Sequence, residues 1–349
     1  MKRSKPHAPV PTRPMPAAGA KRDPQATRPM PGRGESHLRG GTHGAGTAGE
    51  SGDWSLPAES LESLPAIAIT NLDDTDGRIG ERYTILSMLG QGASATVYEV
   101  RDEHTGDTHA LKLLDLDSQV EVTRFRREQA LLRKLEHPNL VTVTDSGEWD
   151  GREFMVMTIL RGGSLLDWLR DSGGGMDYVR ACRLFRGAAE ALHQAHLAGV
   201  VHRDIKPGNL ALEPGSEEKL LVLDFGIAKS MNTSASLTDA GMVMGSPAYM
   251  CPERLFSGAK ATDSWDVYSL GVVMYEVITG TPLFRGRSWM DTMTKIQRFT
   301  PPFISTIRDD APPALDWLIS EMIAKEPQGR PSGCDVIARR LLRIERQLG

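Results

Sequence analysis

The chain has 349 residues, of which 40% are hydrophobic and 25% charged, and its formal net charge is −4. That length can bury one large core or two modest ones, and the slightly acidic balance gives no electrostatic case for nucleic acid as a partner. The 3 cysteines are widely separated, which argues against a disulfide framework or a zinc site and is typical of the reducing cytosol.

No stretch of the sequence has the pattern of a membrane span or a signal peptide. The most apolar run, residues 268–278, is too short to cross a bilayer and contains Glu276. Lys2, Arg3 and Lys5 open the chain, but Pro and Gly follow where a signal peptide would place apolar residues. We therefore expect a soluble, cytoplasmic protein without a membrane partner.

Residues 1–78 are predicted to form a disordered tail rich in Pro and Gly. Residues 1–50 contain eight Pro and eight Gly and little that is large and apolar, a composition typical of disorder. Nine basic residues against three acidic ones in this half give way to six acidic and no basic residues at 51–77. Two interpretations stay open: a solvated linker, or an arm whose acidic end docks on a basic partner surface.

Short strands and one helix are predicted between residues 79 and 160. Alternating apolar positions on both sides of Gly90 and Gly92 predict two antiparallel strands joined by a tight turn. Glycines in such a turn let backbone N–H groups approach phosphate oxygens, although a plain hairpin has the same pattern. Lys112 lies in the next short apolar strand, and Phe125 and Leu132 share one face of the helix that follows.

Helices dominate the predicted structure after residue 161. Apolar residues recur at helical spacing in six segments separated by Gly and Pro, at 165–170, 179–198, 264–279, 288–297, 314–324 and 332–347. Together with the preceding strands, they predict an α+β fold.

Two polar segments carry the residue types that phosphoryl transfer needs. Residues 200–212 read V-V-H-R-D-I-K-P-G-N-L-A-L, and Leu-Asp-Phe-Gly follows at 223–226. Asp204 can accept a proton from a hydroxyl nucleophile, and Lys206 can neutralise a phosphate in transfer. Asn209 and Asp224 offer the oxygen ligands that Mg²⁺ prefers. The alternative is a solvated loop that happens to carry these charges.

His-Arg-Asp at 202–204, Asn209 and Asp-Phe-Gly at 224–226 closely resemble the catalytic and metal-binding segments of eukaryotic-like, bacterial-type serine/threonine protein kinases. The resemblance implies a bilobal protein-kinase fold over residues 79–349. Its N-lobe (79–160) would be a small antiparallel sheet plus one helix, and its C-lobe (161–349) would be mainly helical. It also implies ATP and Mg²⁺ as cofactors and proteins carrying Ser or Thr as substrates, because Lys206 is typical of the Ser/Thr branch.

The same resemblance implies which residues bind the nucleotide. Lys112 would contact the α and β phosphates and pair with Glu128, whose alternative is a surface contact with Arg124. The positions expected to bind ATP are Leu89, Gly90, Gly92, Ala95, Val97, Ala110, Lys112, Met157, Leu160 and Ala211.

Two of the expected nucleotide positions and the first hinge residue depart from the family pattern. Ala95 replaces the third glycine of the loop, and Thr158 replaces the Glu that commonly begins the hinge. Ala211 replaces a larger aliphatic residue under the adenine, which predicts a slightly roomier nucleotide pocket.

In the C-lobe the resemblance implies two structural contacts. Asp266 would brace the backbone of the catalytic loop, and Glu253 of Cys-Pro-Glu would form a buried ion pair with Arg330. Cys251, beside that glutamate, is either inert filler or a reactive thiol.

The segment between Asp224 and Glu253 resembles an activation segment rich in hydroxyl groups. Thr238 is the first expected phosphorylation site and Ser236 the next, while Arg203 and Lys229 would form a basic pocket for the phosphate. We therefore predict a serine/threonine kinase activated by (auto)phosphorylation. The alternatives are a small-molecule phosphotransferase and a kinase-like scaffold that binds nucleotide without transfer.

Overall fold

The computed structural model describes residues 77–92, 95–116, 118–172, 175–213, 215, 218–225 and 247–349. Residues 1–76 of the predicted tail therefore lie outside the described residues, as do the predictions for Thr238, Ser236 and Lys229. The predicted end of the tail at residue 78 is slightly too late, because Arg78 already lies in a strand. Nearly all of the N-lobe falls within these ranges, and so does the C-lobe apart from residues 173–174, 214, 216–217 and 226–246.

The N-terminal part is built on a six-stranded antiparallel sheet in the order β1-β2-β3-β4-β6-β5. The predicted hairpin at the glycines is present, because Gly90 lies opposite Val97 and Gly92 opposite Ala95. The strands are β1 (Arg78–Ile79), β2 (Tyr83–Gly92), β3 (Ala95–Asp102), β4 (Thr108–Leu114), β5 (Val143–Trp149) and β6 (Arg152–Thr158).

One helix, α1 (Gln119–Leu132), packs against this sheet. It begins where the Ser118 hydroxyl accepts the backbone N–H of Glu121 at 3.3 Å, a typical N-cap. Phe125 and Leu132 are buried on its inner face. Because residues three and four apart share a helix face, Glu128 lies between them on the side of the core.

The C-terminal part is mainly helical, and its six predicted helices are confirmed close to their predicted bounds. A short two-stranded sheet, β7 (Leu210–Glu213) with β8 (Lys219–Val222), begins at the end of the polar segment 200–212. The helices are α2 (Leu165–Ser172), α3 (Tyr178–Leu197), α4 (Pro252–Phe256), α5 (Asp263–Thr279), α6 (Trp289–Arg298), α7 (Pro313–Met322) and α8 (Cys334–Leu348).

Helix α5 is the centre of this lobe. Nearly all of its side chains are buried, which explains the apolar run in the sequence, and Asp266 lies near its N-terminal end. Gly271 allows α7 to approach closely, since a Cβ at this position would lie 2.7 Å from the Cβ of Met322. In the part of the chain that the structure describes, no helix combines the length and apolarity that a membrane span needs.

Candidate active site

Asp266 fixes the backbone of the segment that contains Asp204. Its carboxylate accepts the N–H groups of His202 at 2.8 Å and Arg203 at 2.9 Å. The Nε2 of His196 on α3 lies 2.8 Å from the same carboxylate. Burial alone would raise the pKa of Asp266, but the hydrogen bond to His196 and the nearby histidines hold the pKa below its usual value. An ionised, fully buried carboxylate therefore holds this loop.

His202 joins the two polar segments to each other. Its Nε2 donates to the carbonyl of Leu223 at 2.6 Å, and its Nδ1 accepts the N–H of Asp204 at 3.2 Å. Burial lowers the pKa of His202, so the ring is neutral and can both donate and accept. The ring also packs on Phe225, with centroids 4.6 Å apart. These contacts set Asp224 beside the Asp204 loop.

Arg203 and Asp224 both adopt the left-handed backbone region, with φ of 66° and 53°. Such a conformation costs a non-glycine residue on the order of 1–3 kcal/mol and persists only where the surroundings enforce it. For Arg203 the enforcement is visible, because Asp266 accepts its N–H and the Arg254 side chain donates to its carbonyl. The strain lies at the predicted metal ligand Asp224 and at Arg203, which directly precedes the predicted base Asp204.

The structure brings together three of the predicted catalytic and metal-binding side chains. The 3₁₀ turn Pro207–Asn209 folds Asn209 back, and its Nδ2 donates to the carbonyl and to Oδ2 of Asp204, each at 2.7 Å. Lys206 Nζ lies 3.1 Å from the same carboxylate oxygen. Asp204 is thereby oriented by an amide and accompanied by a positive charge.

The ion pair expected between Lys112 and Glu128 is not the one that the structure contains. Lys112 Nζ instead pairs with Asp224 Oδ1. Glu128 Oε1 pairs with Arg203 Nη1 at 3.1 Å, and both of those side chains are only 18% exposed. Lys112 and Glu128 are therefore both paired, although not with each other. Their partners, Asp224 and Arg203, both have left-handed backbone.

The Glu128–Arg203 pair is incompletely satisfied. Among the described residues, neither the buried Oε2 of Glu128 nor the buried Nε of Arg203 has a hydrogen-bond partner. A buried polar atom without a hydrogen-bond partner costs free energy. A different partner that satisfied Oε2 of Glu128 or Nε of Arg203 would therefore compete with this ion pair.

A double-mutant cycle on this pair is expected to show coupling. We expect Glu128→Gln and Arg203→Met each to lower the free energy of unfolding, and the double variant to lose less than their sum by about 1 kcal/mol. Urea unfolding measures the stability of the wild type, both single variants and the double variant.

The control cycle uses Asp335→Asn and Arg339→Gln, an exposed pair 2.7 Å apart on α8. Its coupling is expected to stay near the roughly 0.3–0.5 kcal/mol of exposed helix pairs. Equal coupling in both cycles would contradict a special role for the Glu128–Arg203 contact.

The residues expected around the nucleotide share one face of the sheet. Val97 lies opposite Lys112, and Ala110 lies opposite Met157. Because side chains alternate along a strand, these four positions and Ala95 point to the same side. Gly90 is opposite Val97 in the same row.

The remaining expected nucleotide contacts lie around this face. Leu89 and Gly92 are exposed in the hairpin, Leu160 is half-buried directly after β6, and Ala211 is buried on β7. Ser164 bridges to Ala211, which ties that strand to the segment before α2.

Sequence reasoning missed two residues of this site, His196 and Arg254. His196 buttresses Asp266, and the guanidinium of Arg254 lies 5.4 Å over the ring of Trp265 while donating to the Arg203 carbonyl. Neither belongs to one of the motifs that resemble the kinase family. The only sequence signal for Arg254 is weak: it directly follows Glu253, a residue of the Cys-Pro-Glu motif.

Both C-lobe contacts that the resemblance implies, Asp266 with the loop backbone and Glu253 with Arg330, are found in the structure. Arg330 donates to both carboxylate oxygens of Glu253, at 2.7 and 2.9 Å. Burial raises the pKa of the neighbouring Cys251 to about 12, so its thiol stays protonated and unreactive near neutral pH. This favours the interpretation of Cys251 as inert filler.

The donor set at the two polar segments fits Mg²⁺. Among the described residues, no group of three or more His, Cys, Asp or Glu side chains is arranged to hold a metal ion. Asp224 and Asn209 supply a carboxylate and an amide oxygen, and Mg²⁺ commonly uses one or two such ligands together with substrate phosphates. Asn209 uses its nitrogen to reach Asp204, so its oxygen is the atom that would bind a cation.

Comparisons with known proteins agree with this geometry. The protein kinase domain family model matches residues 83–342. The chain is 33% identical over 294 residues to the serine/threonine-protein kinase pkn3 of Myxococcus xanthus, covering 78% of this chain and 52% of that protein. It is 35% identical over 269 residues to the serine/threonine-protein kinase PkaA of Streptomyces coelicolor, covering 73% and 48%. The chain thus spans about half the length of these two relatives.

A solved structure is similar along the whole of its own chain. The kinase domain of PknI from Mycobacterium tuberculosis superposes with a TM-score of 0.61 at 28% identity, covering 77% of this chain and 98% of that one.

Proposed function

This chain belongs to the protein kinase family, and from that premise we propose that it transfers the γ-phosphoryl group of ATP to serine or threonine hydroxyls of proteins. The observation that carries the proposal is the environment of Asp204. Its carboxylate is oriented by Asn209 at 2.7 Å and accompanied by Lys206 at 3.1 Å. An oriented base beside a cation is what hydroxyl activation and phosphoryl neutralisation require.

In this proposal Asp204 orients the substrate hydroxyl and accepts its proton. Lys206 stabilises the negative charge on the transferred phosphoryl group. Since little covalent work falls to the protein, the rate comes from positioning and from fixed charges. The backbone hydrogen bonds that Asp266 accepts from His202 and Arg203 supply that rigidity.

ATP and Mg²⁺ are the cofactors of the proposal. Lys112 would contact the α and β phosphates, and Asn209 and Asp224 would hold Mg²⁺. When bound, the metal neutralises phosphate charge. The sheet face that carries Val97 and Ala110 supplies an apolar wall for the adenine.

A labelling experiment separates the proposal from its alternatives. We expect the full chain to transfer label from γ-labelled ATP, and not from α-labelled ATP, to a generic basic protein. Acid hydrolysis of the product should release phosphoserine or phosphothreonine. EDTA should stop the transfer, because the protein would offer Mg²⁺ only one or two ligands and a strong chelator would remove the metal.

Two outcomes would overturn the proposal. ATP binding without any transfer would favour the kinase-like scaffold. Transfer to small hydroxyl compounds but not to protein would favour a small-molecule phosphotransferase.

Arg203 suggests how activation would work. A phosphate on Thr238 or Ser236 would attract Arg203 and Lys229, and Arg203 now holds Glu128 at 3.1 Å. Competition for Arg203 would free Glu128 to pair with Lys112, as the family pattern implies. Mass spectrometry of the active protein should find phosphate at Thr238 or Ser236, and replacing both by Ala should lower activity.

Location and partners follow from the activity and from the tail. Because ATP is the donor, we propose that the protein acts in the cytoplasm. The acidic end of the tail remains a proposed docking arm. Deleting residues 1–78 should then weaken binding to a protein substrate while transfer to a short peptide is kept.

A further inference from the structure

A cavity of about 240 Å³ lies in the C-lobe between α5, α7 and the 3₁₀ turn Ile304–Thr306. Tyr275, Phe303, Ile319 and Ile323 give it a largely apolar wall. No residue expected to act in phosphoryl transfer lines it. Pockets for drug-sized ligands measure about 300–1,000 Å³, so this cavity suits a smaller molecule.

Lys325 is one of the residues that line this cavity, and among the described residues its ammonium group has no ion-pair partner. Its Nζ is buried and has no hydrogen-bond acceptor among the described residues. It lies 4.2 Å from the ring centroid of Phe284, and the nearby Arg330 repels it. Burial lowers the pKa of Lys325 to about 8. Buried cations are normally paired, so an unpaired one indicates a missing anion.

The other charged residue on the wall, Asp316, is committed elsewhere. Its carboxylate accepts the N–H of Ile304 at 2.7 Å and the hydroxyl of Ser305 at 2.6 Å. A third contact, from the N–H of Ser305, measures 3.3 Å. These hydrogen bonds hold the turn against α7 and satisfy the carboxylate of Asp316. The ammonium of Lys325, by contrast, lies over the Phe284 ring and has no hydrogen-bond acceptor among the described residues.

We propose that this cavity binds a small organic carboxylate, with its apolar body against Phe303, Ile319 and Ile323 and its carboxylate on Lys325. The flexible stem of a lysine allows its ammonium to turn from Phe284 towards the ligand. At the rim, Phe303 meets the exposed ring of Trp317 edge-on at 5.1 Å, which extends the apolar wall outwards. The proposal goes beyond phosphoryl transfer and stands whether or not the chain is an active kinase.

Octanoate is a suitable probe, and octanol is the matched uncharged one. Calorimetric titration of the full chain should show octanoate binding more tightly than octanol. Lys325→Met keeps the length and apolarity of the side chain, so the protein should fold while octanoate affinity falls by about tenfold or more, as expected for loss of a charge-assisted contact. Lys260→Met removes an exposed lysine and should leave the affinity unchanged.

A second variant tests the cavity without touching the lysine. Ser320 is half-buried on the wall, and Ser320→Phe should fill the space and prevent octanoate binding. A cooperative thermal unfolding transition would establish that each variant is folded. The proposal fails if octanoate does not bind, if Lys325→Met binds it as tightly as the wild type, or if Ser320→Phe leaves the affinity unaltered.

Discussion

Asp204→Asn is expected to lower kcat for phosphoryl transfer by about a hundredfold to ten-thousandfold, the range that a general base contributes. Asparagine has the same size and still accepts the hydrogen bond that Asn209 donates to Asp204 Oδ2 at 2.7 Å. It cannot accept the proton of a substrate hydroxyl, and it gives Lys206 no charge partner. The loop geometry should survive, because Asp266 holds the backbone through His202 and Arg203.

Steady-state kinetics with a peptide substrate provide the measurement. The KM for ATP should change little, since Asp204 is expected to contact the hydroxyl rather than the nucleotide. Asp171→Asn, an exposed carboxylate on α2, is the matched control and should keep the wild-type kcat. A wild-type kcat in the Asp204 variant would assign proton acceptance to another group.

The fold could be predicted largely because its signals are local. The apolar residues at helical spacing in 264–279 identify α5, since a helix that buries nearly every side chain needs an apolar sequence all round. The hairpin at Gly90 and Gly92 follows in the same way from alternation and turn residues. Both signals are contained within one element and survive without knowledge of the rest of the chain.

Partner choice at the site could not be predicted in this way. Lys112 and Glu128 carry the right charges for each other, yet they pair with Asp224 and Arg203. The outcome depends on left-handed backbone at Arg203 and Asp224, a conformation that arginine rarely adopts and that aspartate adopts only occasionally. Which side chains pair depends on distances of a few ångströms between different elements. The periodicity of apolar residues in the sequence gives no information on those distances.

The same limit applies to buried charges outside motifs. His196 and Arg254 are ordinary polar residues in the sequence, and only the fold places them against Asp266 and the Arg203 carbonyl. Lys325 likewise belongs to no motif in the sequence, and only the structure shows that its ammonium is buried over Phe284. Such residues are found by asking which buried charges have partners, a question that requires the tertiary structure.

Arg330→Met is expected to lower the free energy of unfolding by about 3–5 kcal/mol, the cost of leaving a buried charge without its partner. The guanidinium is completely buried and donates two hydrogen bonds to Glu253. It also donates to the carbonyls of Ala324, Lys325 and Ser264, at 2.8, 2.9 and 3.0 Å. One side chain therefore ties together α4, the start of α5 and the turn before α8.

The free energy of unfolding at acidic pH gives an independent test of the Glu253–Arg330 ion pair. Burial alone would raise the pKa of Glu253, but the hydrogen bonds from Arg330 hold the pKa below its usual value. A carboxyl whose pKa is lower folded than unfolded stabilises the protein above its unfolded pKa, and that contribution is lost as the pH falls through the folded pKa. Arg330→Met should abolish this part of the acid dependence.

Urea unfolding at neutral and acidic pH measures both effects. Arg340→Gln is the control, because its contact with Glu321 is partly exposed and should contribute at most about 1 kcal/mol. Adding Glu253→Gln to Arg330→Met should cost less than Glu253→Gln costs alone, since the second change removes the stranded carboxylate. Strictly additive losses would mean that Arg330 stabilises the lobe through its three carbonyl contacts, and that the ion pair with Glu253 contributes little of its own.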